Sequence, residues 1–276
     1  MAATGISAQP NLLTAILHLR YLSLFASITR IPSDPLNHLA RHVFSSLKPS
    51  SKSWFWIIRD LCVLYQFPHP LQLLDTPLSK EKFKKLAKSK VIDLWETKLR
   101  GEATLLPSLK HFKPEYMSLT RPHPLWTTTK SNPYEVSKAV QQARFLSGRY
   151  RTESLCKHWS KNTHGYCLSE TCISEEETIE HILLFCPAYT HTRYQLQTYW
   201  FSRSRGPIFE LIIEALTGPR NQLLQFLLDC SNLPSVITAT QLHGSVILEE
   251  LFHLTRTWCF AHHRDRMKLL GRWNFT

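Results

Sequence analysis

The 276-residue chain lacks the short motifs that mark common enzyme sites. It has no Gly-x4-Gly-Lys-Ser/Thr phosphate loop, no His-Glu-x2-His zinc-protease helix and no Gly-x-Ser-x-Gly nucleophile turn. It also has no Asp-Asp dipeptide, which removes the paired carboxylates that a polymerase palm uses to hold two metal ions. A nuclease would need Asp229, Glu249 and Glu250 to converge with a lysine, and no spacing requires that. We therefore predict a protein that is not an enzyme.

The chain has no apolar run long enough to cross a membrane. The longest candidate, from Leu12 to Ile28, is interrupted by His18 and Arg20. It predicts an amphipathic helix with one apolar side, although the absence of acidic residues before Asp34 leaves an organelle-transit segment as an alternative. That apolar side would consist of Leu12, Ile16, Leu19 and Leu22.

The cysteines show no disulfide framework. Four of the seven are scattered without regular spacing, as expected in a reducing compartment: Cys62, Cys156, Cys230 and Cys259. We therefore expect an intracellular protein of the nucleus or cytoplasm, neither secreted nor bound to a membrane.

Positive charge is abundant. The chain carries 33 Lys and Arg against 21 Asp and Glu, a net charge of +12 with a pI near 9.5. Such an excess favours a polyanionic partner through counterion release. Hydrophobic residues at 43% are ample for packed cores, and the length suggests about two domains.

One stretch has the spacing of a metal site, Cys-x4-Cys-x8-His-x4-Cys. Its ligands would be Cys167, Cys172, His181 and Cys186. Three thiolates and one imidazole complete a tetrahedral Zn²⁺ shell with no open position for substrate, which indicates a structural zinc ion. The alternative is a loop of buried free thiols. Nearby Cys156, His158 and His164 are competing ligands without a matching partner set.

The residues between these ligands predict local structure and charge. Ser174 with Glu177 has the form of a capping box, which predicts a short helix that carries His181 and ends at Pro187. Five glutamates and no Lys or Arg lie between Cys167 and Cys186, so this surface should repel phosphate. We therefore expect zinc to brace the fold and not to grip a nucleic acid directly.

A segment just before the ligands mixes cations with aromatic rings. This mixture is typical of single-strand binding, because cations neutralise phosphates while rings stack on bases. The alternative is that the rings pack against the ligand-bearing segment Cys167–Cys186, here called the knuckle, and that the cations are merely solvated. The predicted contacts for RNA or single-stranded DNA are Arg144, Arg149, Tyr150, Arg151, Lys157, Trp159 and Lys161.

Periodicity predicts a mainly α fold: two helical bodies joined by a Pro-rich connector, with a small zinc-stapled knuckle. Three helices are well marked: one begins with the lysine run at Lys80 and stops at Gly101, one is capped by Asn132, and one runs from Ser245 to Leu270.

The lysine run is a candidate phosphate-facing or simply solvated face. Cationic residues and histidines in the C-terminal half of the last helix either complement the helix dipole or offer a second phosphate contact: Arg256, His262, His263, Arg264, Arg266 and Lys268. The predicted parts are a helical domain at 1–106, the connector at 107–133, a basic helix with the knuckle at 134–200 and a helical region at 201–276.

The knuckle region also carries a family resemblance. This part of the chain resembles the C-terminal, post-polymerase region of open reading frame 2 of non-LTR (LINE-type) retrotransposons. The resemblance is carried by the four ligands and by the segments Arg144–Arg151, Leu155–Trp159 and His181–Pro187. The resemblance extends to the helical linker after the polymerase thumb, which Lys52–Trp56 and Pro68–Leu74 are similar to. It also extends to the closing tail, which Trp258–Trp273 is similar to. The resemblance implies a CCHC zinc knuckle and a nucleic-acid-handling fragment without its polymerase. A protein-interaction module that uses the acidic knuckle helix is the alternative.

Overall fold

The computed structural model is built almost entirely of helices. It describes residues 8–46, 53–161, 163–172 and 174–271; side chains are described from residue 13 onward, Tyr116 excepted. Within these ranges the extended structure amounts to one isolated bridge between Tyr166 and Glu176. The prediction of a mainly α fold is confirmed. Parts of two segments used for the family resemblance, at Lys52 and Trp273, lie outside the described residues.

The chain divides into two compact units, Met1–Glu102 and Ala103–Thr276. The described residues of the first unit form five helices, the last of which runs just past its boundary. They are α1 (Ala8–Thr29), α2 (Pro35–Ser45), α3 (Trp54–Leu64), α4 (Pro70–Asp75) and α5 (Lys80–Thr104).

The core of the first unit is centred on Tyr65. The Tyr65 hydroxyl accepts from Trp95 Nε1 at 2.9 Å and lies 2.7 Å from His18 Nδ1, which links α5 to α1. The sequence of α5 predicts an apolar stripe at four-residue steps, formed by Phe83, Ala87, Val91, Trp95 and Leu99. The first four are buried and Leu99 is half-buried, while most lysines beside the stripe face solvent. Burial of a large apolar side chain such as Phe83 or Val91 contributes roughly 1.5–3 kcal/mol.

Two details of the first unit differ from the sequence prediction. Helix α5 continues through Gly101, so the predicted stop there was wrong. In α1, Ile16 is exposed and Leu22 is buried, because the packed side consists of Ala15, Leu22, Phe25 and Ala26. No helix among the described residues is long and apolar enough to cross a membrane.

The second unit surrounds its last helix. This helix covers Val246–Leu269, close to the predicted range. It packs against the helix Pro133–Leu146 and against four later helices. The rings of Trp258 and Trp200 lie 4.8 Å apart at the centre of the core. The helices are α6 (Pro124–Thr127), α7 (Pro133–Leu146), α8 (Glu153–Cys156), α9 (Thr190–Arg203), α10 (Pro207–Thr217), α11 (Arg220–Asp229), α12 (Pro234–His243) and α13 (Val246–Leu269).

The Pro-rich segment 107–133 belongs to the second unit and is packed into it. Its prolines start helical turns, at Pro107–Leu109, Pro114–Tyr116 and α6, because proline is pre-organised for the first helical position. Leu125 is buried at 1% exposure, and His123 bonds to the buried Asp229. The segment that the proline spacing predicts as an irregular connector between two helical bodies is therefore packed within the second unit.

Candidate metal centre and the basic segment

The four predicted ligands converge in the structure. Cys167, Cys172, His181 and Cys186 place one ligand atom each so that all lie within 4.8 Å of one another. Cys186 Sγ lies 3.7 Å from Cys167 Sγ and 3.6 Å from Cys172 Sγ. Cys172 Sγ lies 3.5 Å from His181 Nε2. Among the described residues this is the one such group of His, Cys, Asp or Glu ligands.

These separations fit a tetrahedral zinc shell. Zn–S bonds of about 2.3 Å and Zn–N bonds of about 2.0–2.1 Å give edges of about 3.8 Å between sulfurs and about 3.6 Å between sulfur and nitrogen. Burial raises the pKa of the Cys167 and Cys186 thiols, so their thiolate forms need a compensating cation. A metal ion bound by the four residues would supply that charge, and a four-coordinate ion with this donor set would have no open position for a substrate.

The first two ligands are held by a short turn. Cys167 N donates to Glu175 O at 2.8 Å, and Glu177 N donates to Gly165 O at 3.0 Å, on either side of the bridge from Tyr166. Gly165 has φ +83°, a left-handed conformation that favours glycine. Cys172 N bonds to Ser169 O at 2.9 Å and closes the turn.

The last two ligands come from a π-helical turn, His181–Phe185. Cys186 N donates to His181 O at 2.7 Å, a five-residue step that widens the turn. The predicted capping box was wrong, because Ser174 has φ +60° and lies before the helix. Thr178 provides the cap instead: its hydroxyl accepts from His181 N at 3.0 Å.

A fifth residue orients the imidazole. Glu175 Oε2 lies 2.9 Å from His181 Nδ1, which leaves Nε2 toward the sulfurs. Carboxylate partners of this kind fix the tautomer of a metal-ligating histidine and raise its basicity. In the sequence, Glu175 is one of five glutamates that predict an acidic surface. Its place directly before Glu176 and Glu177 hid the role, because adjacent glutamates look alike in sequence.

A second glutamate, Glu177, anchors the knuckle to the last helix. Glu177 is 1% exposed and receives two bonds from Arg266, at 2.9 Å from Nε and 2.7 Å from Nη2. Its Oε2 also accepts from Glu153 N at 2.7 Å, at the start of α8. Burial alone would lower the pKa of Arg266, but the hydrogen bonds and charge of Glu177 outweigh it and raise that pKa.

A third glutamate ties the knuckle to the basic segment. Glu176 accepts from Ser154 Oγ at 2.7 Å and from Lys157 Nζ at 2.6 Å. Lys157 and Ser154 lower the pKa of Glu176 through these bonds. Since Glu175, Glu176 and Glu177 all have cationic or imidazole partners, the knuckle is less acidic in effect than its sequence suggested.

The predicted contact residues divide into exposed and buried sets. Trp159 is 67% exposed. Tyr150 is buried at 4% exposure, its ring stacked on Phe145 with centroids 3.7 Å apart and its hydroxyl 3.0 Å from His263 Nδ1. The prediction that Tyr150 stacks on a base was therefore wrong, because its ring is already packed in the core. The exposed set is Arg144, Arg149, Arg151, Lys157, Trp159 and Lys161.

The second predicted phosphate contact divides in the same way. Arg256, His262 and Arg266 are buried at 1%, 0% and 4% exposure, so these three do not face solvent. Arg264 and Lys268 are exposed and pair with Asp265 at 3.6 and 3.3 Å, while His263 is half-buried. Arg256 donates to Glu135 at 3.2 Å and to Thr128 Oγ1 at 2.6 Å. The buried side chains face the core side of α13, and the four-residue step from His262 to Arg266 returns to the same helix face.

The acidic residues of the nuclease alternative have structural partners. Asp229 accepts from Ser231 and Asn232 and lies 3.2 Å from His123 Nε2. Burial alone would raise its pKa, but His123 and Ser231 outweigh it and lower the pKa. Glu249 instead pairs with Lys130 at 2.6 Å. Both oxygens of Asp229 are therefore already bonded within the chain, and one oxygen of Glu249 is paired.

Comparison with protein-family models, with curated proteins and with solved structures returns no match for this chain.

Proposed function

We propose that the protein binds single-stranded RNA or DNA without catalysing a reaction on it, and that a structural zinc ion holds its knuckle. The observation that carries the proposal is the exposed segment 149–161, where Trp159 at 67% exposure lies among solvent-facing cations. An indole ring that is exposed to solvent, and not packed in a core, is a typical stacking platform for bases.

The segment is held in place by the knuckle. Glu176 bonds to Ser154 and Lys157, and Glu177 caps α8 at Glu153 N. A fixed segment loses less conformational entropy on binding than a free loop, which favours affinity. In this proposal zinc crosslinks the knuckle. The bonds of Glu176 and Glu177 then hold in place the segment that carries Arg149 and Arg151.

A salt-dependent binding titration with zinc-loaded protein tests this proposal. The logarithm of affinity for a single strand should fall linearly with the logarithm of salt concentration, by about 0.7 per phosphate neutralised. Arg149→Ala with Arg151→Ala should flatten the slope by about 1.4, while Trp159→Ala should cost roughly 1–3 kcal/mol with little change in slope.

A matched control is available at the end of α9. Arg203 and Arg205 are exposed and separated by the same two positions, so Arg203→Ala with Arg205→Ala removes the same charge elsewhere. That control should leave the slope unchanged. Undetectable or salt-insensitive binding by zinc-loaded protein would contradict the proposal.

The alternative is a protein-docking module built on the acidic knuckle. Three exposed apolar side chains on the knuckle favour it: Tyr166 at 52%, Leu168 at 43% and Phe185 at 39% exposure. The glutamates count against it, because Glu176 and Glu177 already bond to residues of this chain. Docking would be supported if the arginine changes had no effect and Leu168→Asp abolished capture of a protein partner.

The resemblance to the C-terminal region of non-LTR retrotransposon open reading frame 2 is compatible with single-strand binding. It rests on the segments around the four ligands and stays a prediction. Origin as a retrotransposon-derived fragment is accordingly part of this proposal.

A further inference from the structure

A cleft of about 230 Å³ opens in the second unit beside the basic segment. One wall is the loop that follows Gly148, a second is the turn that begins at Pro107, and the third is the start of the helix that carries His181. Its lining includes Ser108, Lys110, His111, Leu155, His158 and Glu180.

Several polar side chains in this cleft have no partner of their own. Among the described residues, the side chains of Lys110, His158 and Glu180 form no hydrogen bond or ion pair. Apolar contact is available from Leu155 and Ile179. Ligand sites commonly combine apolar walls with a few convergent polar groups in this way.

His111 adds a neutral imidazole to the cleft. Burial, with a smaller effect of Lys110, lowers its pKa to about 4. At pH 7 one ring nitrogen therefore donates and the other accepts. Lys110, His111 and Glu180 together offer two donors and a two-oxygen acceptor, a mixture suited to the edge of a nucleobase and not to a bare phosphate.

The position of the cleft relates it to the proposed strand-binding surface. The loop that forms one wall carries the exposed Arg149 and Arg151, and the lining residue His158 directly precedes Trp159. Arg149 and Arg151 alternate with the lining residues Gly148, Tyr150 and Thr152, so a strand bound at these arginines would lie beside the cleft. Single-stranded nucleic acid is commonly read by bases that leave the stack and enter such pockets.

We propose that the cleft receives one unstacked guanine of the bound strand, with the Glu180 carboxylate accepting from N1–H and N2–H. This inference rests on the proposed single-strand binding. Guanine is the base whose Watson–Crick edge places two donors side by side, which matches the two oxygens of a carboxylate. Lys110 and His111 can donate to the O6 and N7 acceptors. The volume lies below the range of about 300–1,000 Å³ for larger ligands, which suits a single base.

The test compares oligonucleotides with the zinc-loaded full chain. Three 12-mers are measured by fluorescence anisotropy: oligouridine, the same strand with one central guanine, and the same strand with inosine at that position. Guanine should tighten binding by about tenfold over uridine, within the range for a bidentate base contact. Inosine lacks the N2 amino group and should lose most of that gain. This comparison uses the wild-type protein and needs no variant.

Variants then assign the preference to Glu180. Glu180→Gln replaces one acceptor oxygen by a donor, so it should bring the guanine-to-uridine ratio close to 1 while affinity for oligouridine stays the same or rises. Glu170→Gln removes the same charge from an exposed position between the ligands and should keep the ratio. Zinc content is measured for both variants, because Glu180 neighbours His181.

The outcomes separate the two proposals. Salt-dependent binding with equal affinities for the guanine and inosine strands overturns the guanine pocket and leaves single-strand binding standing. A guanine preference that survives in Glu180→Gln overturns the assignment of this cleft. Absence of binding to all three strands overturns the proposed function and the pocket with it.

Discussion

The ion pair between Glu177 and Arg266 gives the sharpest stability prediction. Both side chains are buried, at 1% and 4% exposure, and the pair is bidentate. Glu177→Gln preserves the size of the side chain and an oxygen that can accept from Glu153 N. It leaves the buried Arg266 guanidinium with the Glu153 carboxylate alone, whose Oε1 lies 3.7 Å from Nη2.

Removal of one partner of a buried ion pair costs about 3–5 kcal/mol, because the remaining charge is uncompensated. Because Glu153 keeps part of the pairing, we expect Glu177→Gln to lower the free energy of unfolding of the second unit by up to that amount. For a unit of this size the full change corresponds to a fall in Tm of roughly 6–20 °C. Glu210→Gln, at an exposed site on α10, should change stability by less than about 0.5 kcal/mol.

The assay is urea-induced unfolding of zinc-loaded protein, followed by far-UV circular dichroism and intrinsic tryptophan fluorescence. A double variant, Glu177→Gln with Arg266→Met, removes the stranded charge and should be more stable than Glu177→Gln alone. A coupling energy near zero in this double-mutant cycle would refute the reasoning, because it would mean that the two side chains do not interact in solution.

Local sequence signals predicted the helices that have strong periodicity or caps. The stripe Phe83, Ala87, Val91 and Trp95 is buried at the predicted spacing. Asn132 caps α7 as expected, with bonds from the next two backbone amides of Tyr134 and Glu135 at 3.0 and 3.4 Å. These features depend on residues within a few positions of one another, so the local sequence contains the information.

The ligand set was also predictable, since spacing and residue type restrict it strongly. The partners of its glutamates were not. Glu177 meets Arg266, which lies 89 positions away in sequence, and no local pattern reports such a contact. Burial of Tyr150 was missed for a related reason: an aromatic ring beside cations has the same sequence context whether it faces solvent or stacks on Phe145.

The remaining predictions concern the metal and pH. Purified protein should carry about one zinc per chain by elemental analysis; Cys172→Ser should lose it, Cys156→Ser should keep it, and metal-free protein with unchanged melting would contradict a zinc site. Glu175→Gln should weaken zinc affinity by roughly 10–100-fold in a chelator competition, and an unchanged affinity would show that the carboxylate does not orient His181. The last prediction concerns His262, which is fully buried and whose pKa burial lowers to about 4. Between pH 6.5 and 4 the unfolded chain binds a proton on this ring that the folded protein does not. Stability should therefore fall as pH falls through that window, by about 3 kcal/mol in total, and level off below it. Metal ligands protonate in the same range, so the measured quantity is the difference between wild type and His262→Gln in urea unfolding at pH 7, 6, 5 and 4. A difference that is constant across these pH values would show that His262 does not stay neutral in the folded protein.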